Sequence, residues 1–101
     1  MEFPIKEGRE TRISLTGKLD FARAPILMSE LELLKGKDIS KIIFECAELT
    51  YIASVGIRAI IFAQQKIADK MIICLEDVSE GIREVIEMCG LDEFIEFTRS
   101  K

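Results

Sequence analysis

The sequence has no histidine and no tryptophan, and only one tyrosine, two prolines and three cysteines in 101 residues. Each scarcity closes off a class of chemistry. Without histidine, a serine or cysteine nucleophile lacks its usual activating base, and no serine–lysine spacing here is distinctive enough to replace it. Three isolated cysteines, with no Cys-x-x-Cys pair, cannot build an ordinary tetrahedral zinc site, so no metal is expected. Cys46, Cys74 and Cys89 all fall in apolar surroundings and read as buried thiols of a reducing cytoplasm. There is no glycine-rich phosphate loop of the Walker or dinucleotide type. Glu30 and Glu32 are expected on the solvated outer side of a helix rather than as a working pair of carboxylates. An enzyme is therefore not expected, nor a cofactor held by this chain.

Long hydrophobic runs are also missing. The longest nearly apolar stretch, Ala59 to Ala63, is far shorter than a membrane span. The first residues carry Glu2 and Lys6 around a short apolar patch and lack a signal-peptide pattern. A net charge of -4 offers nothing to offset phosphate repulsion, which argues against direct nucleic-acid or anionic-membrane partners. What is present is ordinary soluble usage, 49% hydrophobic and 32% charged residues, without repeats, low complexity or linkers. One cytoplasmic domain over residues 1–101 is the expectation.

Periodicity supplies the elements. Phe3 and Ile5 alternate with polar residues, Lys6-Glu7-Gly8 turns the chain, and Ile13 and Leu15 alternate again. This predicts an antiparallel hairpin at a sheet edge. Asp20 precedes a helical stripe of Ala24, Leu27, Met28 and Leu31, with Pro25 in the first turn and Gly36 at the left-handed end. Lys41 to Cys46 and Met71 to Leu75 hold continuous apolar runs, which suit parallel strands buried on both faces. Between them a helix from about Val55 to Ala68 turns Gly56, Ala59, Ile60, Ala63 and Ile67 inward. A third helix from about Ser79 to Cys89 has the stripe Val78, Ile82, Val85, Ile86 and Cys89, stopped by Gly90. Phe94 to Phe97 closes the chain as a short edge strand. Such alternation predicts an α/β fold with a mixed, mostly parallel sheet, an antiparallel edge strand and helices packed on the sheet. The loops 18–21, 50–56 and 76–79 then follow strand ends on one side and bring Asp20, Ser54 and Asp77 to the same end of the molecule.

The informative residue is Ser54, in the run Tyr51-Ile52-Ala53-Ser54-Val55-Gly56-Ile57-Arg58 where a strand gives way to a helix. Its hydroxyl faces free N–H groups of the helix start, so it can cap the helix or carry a phosphate that the helix end stabilises. Gly56 weakens the first turn but lets another backbone or a phosphate come close. Arg58 and Phe62 share a face with Gln65 and Asp69, away from the inward stripe. Phe62 is either covered by a neighbouring loop or offered to a partner.

At these residues the chain resembles the STAS domain family and, within it, the bacterial anti-sigma factor antagonists. Leu15-Thr16-Gly17-Lys18-Leu19-Asp20, followed by Phe21-Ala22-Arg23-Ala24-Pro25, is similar to the family's strand-to-first-helix signature. Tyr51 to Arg58 is similar to the loop that usually reads Asp-Ser-Ser-Gly-Leu or Ser-Ser-Ala-Gly-Leu-Arg. Val78-Ser79, Arg83-Glu84-Val85 and Gly90-Leu91-Asp92 follow its closing helix. The resemblance implies a STAS-type fold and partner switching. The unphosphorylated protein would bind an anti-sigma factor that is also a serine kinase, freeing a sigma factor and so regulating transcription indirectly. Phosphorylation at Ser54 would dissociate the pair, and a phosphoserine phosphatase would reset it. ATP and Mg²⁺ would belong to the kinase. The implied partner surface is Asp20, Ala53, Ser54, Val55, Gly56, Arg58 and Phe62. Ala53 replaces the usual Asp or Ser and Val55 the usual small residue. A STAS scaffold or accessory subunit, for example of a transport system, would tolerate both without phosphate control.

Overall fold

The structure, a computed structural model, describes residues 3–67 and 71–100. Ala68 and Asp69, expected at the end and on the outer face of the second helix, lie outside the described residues. The chain order is β1 (Ile5–Lys6), β2 (Glu10–Leu19), α1 (Ala24–Glu32), β3 (Lys41–Ile52), α2 (Ser54–Lys66), β4 (Ile72–Glu76), α3 (Glu80–Met88), a 3-10 turn (Asp92–Phe94) and β5 (Ile95–Thr98). The expected hairpin forms, with β1 antiparallel to β2 and Ile5 opposite Ile13. The remaining pairs are parallel, and the sheet order β1-β2-β3-β4-β5 follows the chain without reversal. Gly36 and Gly90 adopt the left-handed conformation expected after α1 and α3, at φ 83° and 75°.

The expectation of strands buried on both faces holds for Ile42-Ile43-Phe44 and fails at Ile72, and the unreversed strand order places the helices on one face only. Each crossover steps the same way, and crossovers of one hand deposit their helices on one face. Ile13, Leu15, Ile42, Phe44, Ile73, Leu75 and Ile95 form one core with Leu27 and Leu31 of α1, Ala59, Ile60 and Ala63 of α2, and Ile82 and Ile86 of α3. The opposite face is laced with charge. Arg12 reaches across three strands, Nε to Glu45 and Nη2 to Glu76, both at 2.6 Å, and Lys41 meets Glu96 at 3.3 Å. The two carboxylates hold the Arg12 guanidinium above its ordinary pKa. Ile43 and Cys74 are buried on this face without joining the helix-covered core, and Ile72 is 43% exposed.

Three further expectations change. Glu30 is only 8% exposed, because the N-terminal segment crosses the flank of α1 and donates the Phe3 N–H to its carboxylate at 3.3 Å. Glu32 is exposed, as expected. Val85 and Cys89 are exposed, since α3 is short and only Ile82 and Ile86 point into the core. Cys46 and Cys74 are buried as expected, and burial pushes the Cys46 thiol up to about 12, where it is inert.

Candidate functional site

The strand register builds the site. The last β3–β4 pair is Glu45 with Glu76, yet β3 runs seven positions further, to Ile52, beside β2. At ~3.3 Å per residue, the β2–β3 end projects roughly 20 Å past the end of β4. The sequence reading ended β3 at Cys46 because the apolar run stops there, and two register shifts carry the pairing on. Asp20 and Ser54 therefore share a projecting tip, while Asp77 sits well below it on the same side.

Ala53 N donates to Leu19 O at 2.9 Å and closes the tip. That bond holds Ala53 extended, at φ −89° and ψ 168°, so Ala53 becomes the residue before the helix and Ser54 the first residue within it. Of the two roles open to Ser54, capping is excluded, because its hydroxyl stands one position too late. Ala53 O accepts from Gly56 N at 2.9 Å and Ile57 N at 3.1 Å. Among the described residues no protein acceptor meets the N–H of Ser54 or Val55, and the exposed Ser54 hydroxyl makes no hydrogen bond. The close approach that Gly56 permits is to backbone. A Cβ there would stand 2.9 Å from Leu19 O and 2.8 Å from Ile52 Cγ1.

Across the tip, Asp20 Oδ1 accepts the N–H groups of Ala22 and Arg23, each at 3.1 Å, and starts the turn into α1. The Arg23 guanidinium bonds the Thr16 and Lys18 carbonyls and lies over the Phe3 ring, 4.9 Å from its centroid. Asp20 and Arg23 thus brace the tip. The sequence reading missed Phe21, 69% exposed beside Asp20, and Tyr51, 48% exposed two residues before Ala53. An aromatic set directly after a turn-forming aspartate was the available signal for Phe21.

On the outer side of α2, Ile57, Arg58, Ile61, Phe62, Gln65 and Leu91 line a groove of about 390 Å³. Both readings of Phe62 meet here. It is half-buried, with Lys35 Nζ 5.3 Å from its ring centroid, and its remaining surface faces the groove. Among the described residues there is no cluster of three or more His, Cys, Asp or Glu that could hold a metal ion. No described helix is long and apolar enough to cross a membrane.

The sequence model of the STAS domain matches residues 3–101. The chain belongs to the STAS domain family. An anti-sigma factor antagonist from Mycobacterium paratuberculosis superposes with a TM-score of 0.82 at 15% identity, covering 95% of this chain and 83% of the other. The Bacillus cell fate determinant SpoIIAA in its phosphorylated form gives 0.73 at 20% identity, covering 94% and 89%. A sulfate transporter family protein from Wolinella succinogenes gives 0.69 at 18% identity, covering 85% and 74%. No curated protein sequence matches the chain. The shared STAS fold places Ser54 at the tip of the longest strand pair, at the start of α2.

Proposed function

We propose that this STAS domain is a bacterial, cytoplasmic anti-sigma factor antagonist that works by partner switching and is turned off at Ser54. The carrying observation is the Ser54 hydroxyl itself, exposed and, among the described residues, unbonded at the head of a helix with no side-chain cap. Unmodified, the tip docks against an anti-sigma factor and releases its sigma factor. Asp20, Ser54, Val55, Arg58 and Phe62 make the surface, joined by Phe21 and Tyr51, whereas Ala53 and Gly56, expected in it, are buried and shape the loop from beneath. The anti-sigma factor is also the kinase. Ser54 Oγ attacks the γ-phosphorus of ATP, ADP leaves, and the hydroxyl proton passes to a base of the kinase. A phosphatase later hydrolyses the ester with water. ATP and Mg²⁺ are held by the kinase.

The energetics favour a switch of affinity over a switch of shape. A phosphate adds about −1.5 to −2 charge. Within this chain the helix end stabilises that charge by about 0.3–1 kcal/mol. A docked partner shaped around a neutral hydroxyl would bury the anion without compensation, at a cost of several kcal/mol. The loss is about 100-fold or more in affinity, with little change in the chain.

A second reading, a STAS scaffold or accessory subunit without covalent control, draws on Ala53 and Val55 and on the likeness to the Wolinella succinogenes protein. Intact mass after incubation with ATP, Mg²⁺ and serine kinases of the same cell separates the two. The antagonist gains one phosphoryl group, abolished by Ser54→Ala, and Ser54→Ala binds the anti-sigma factor constitutively. Full affinity in Ser54→Asp, or no phosphorylation by any kinase, would sink the switch and favour the scaffold.

A further inference from the structure

The chain has 18 acidic residues, yet α2 contains none, and its only charges are Arg58 and Lys66. Three other arginines find carboxylates. Arg9 meets Asp38 at 3.2 Å, Arg12 meets Glu45 and Glu76, and Arg83 meets Glu87 at 3.2 Å. Arg58 is exposed, and among the described residues it has no ion pair, hydrogen bond or ring contact. It stands on the rim of the groove formed with Ile57, Ile61, Phe62 and Leu91. An unpaired guanidinium beside an apolar groove is complementary to one occupant, a helical segment of a partner with an apolar stripe and a carboxylate.

Arg58 also lies four residues after Ser54, one helical turn along the same face. Helical side chains lean toward the N-terminus of their helix, so Arg58 leans toward Ser54. Anion first and cation four residues later is the favourable orientation for such a pair. Guanidinium and phosphate add a bidentate match, and no carboxylate on α2 competes.

We propose that a phosphate on Ser54 captures Arg58 and so withdraws the groove's unpaired cation from the carboxylate of the docking segment. Modification then acts twice, adding an anion at the tip and removing the cation that a partner needs at the groove. This rests on Ser54 being the modified residue, but the contact itself is testable without any kinase or partner.

The full chain is made with phosphoserine encoded at position 54, and the second ionisation of its phosphate is followed by phosphorus NMR against pH. Arg58→Gln is expected to raise the midpoint by about 0.5 pH unit, about a threefold change in proton affinity, on the scale of an exposed charge pair. Arg58→Lys should recover part of the shift. Lys18→Gln, which removes a cation opposite Tyr51 at the same tip, should move the midpoint less. A midpoint unchanged by Arg58→Gln, or moved no more than by Lys18→Gln, overturns the capture. Failure of Ser54 phosphorylation by the cell's kinases would overturn the switch while leaving this midpoint as it is.

Discussion

Helices α2 and α3 both follow a parallel strand, and both are entered through an extended residue, yet they begin in opposite ways. At α3, Ser79 occupies the capping position, its hydroxyl accepts from Ile82 N at 3.3 Å, and Glu80 places a negative charge in the first turn. At α2 the same position is Ala53, without a side-chain bond, and the first turn has no acid. The early glycines differ as well. Gly81 has open space where a Cβ would go, whereas Gly56 is pressed against Leu19 and Ile52. Helix α3 is therefore stabilised at its own terminus. Helix α2 is held by tertiary packing through Gly56, Ala59, Ile60 and Ala63, and its N-terminus is left electrostatically open. A helix held from its side can present an uncompensated end to another molecule.

The comparison breaks most visibly at the glycines. Gly56→Ala forces a methyl within 3 Å of Leu19 O, so the tip must shift, and the expected loss is about 1–3 kcal/mol. Gly81→Ala meets nothing and lowers the entropy of the unfolded chain, so it should gain about 0.4–1 kcal/mol. Urea unfolding of the two variants measures both. Equal effects would mean that α2 does not depend on its seat against Leu19.

The serines give the next largest contrast. Ser79→Ala removes a capping bond and should cost about 1 kcal/mol. Ser54→Ala removes a hydroxyl with no partner among the described residues and should stay within about 0.5 kcal/mol of the parent. Thermal unfolding of both variants is sufficient. A loss at Ser54 as large as that at Ser79 would return Ser54 to a capping role.

Much of this frame was legible in the sequence, and the failures share a cause. Alternation and stripes located the five strands and three α-helices, though Phe94, expected in the last strand, ends the 3-10 turn before it, and Gly36 and Gly90 marked helix ends, because local periodicity and backbone preference decide those features. The length of β3 was not legible. Its second half, Ala47 to Ile52, depends on pairing with β2 across register shifts, which no local run encodes. The same long-range bond from Ala53 N to Leu19 O starts α2 one residue earlier than the sequence indicated and changes the standing of Ser54. The one-sided sheet followed from strand order, and the burial of Glu30 from the path of Phe3 over α1. Residue types located the candidate site, but tertiary geometry determined which of its groups are already engaged.

The smallest expected effect lies at the lower junction, where β4 leads into α3. Asp77 adopts φ 60°, a left-handed conformation that aspartate tolerates, and its N–H donates to Thr98 O at 2.9 Å. Its carboxylate accepts Ser100 N at 2.9 Å and Ser100 Oγ at 2.5 Å, and these two bonds hold its pKa below the ordinary carboxylate range. Because the folded value is depressed, the contribution is complete above the unfolded value of about 3.9 and fades as pH falls through the folded one. Asp77→Asn keeps one acceptor and the backbone conformation but cannot titrate. The parent should therefore lose stability more steeply than Asp77→Asn below about pH 4, with the two curves converging at the acid extreme. Protection of the Ser100 amide, relative to its intrinsic exchange rate at each pH, should fall over the same interval in the parent alone. Parallel acid limbs would show that the Asp77–Ser100 contact does not fasten the chain end to the α3 junction, and the contrast with the open α2 junction would then rest on Ser79, Glu80 and the two glycines.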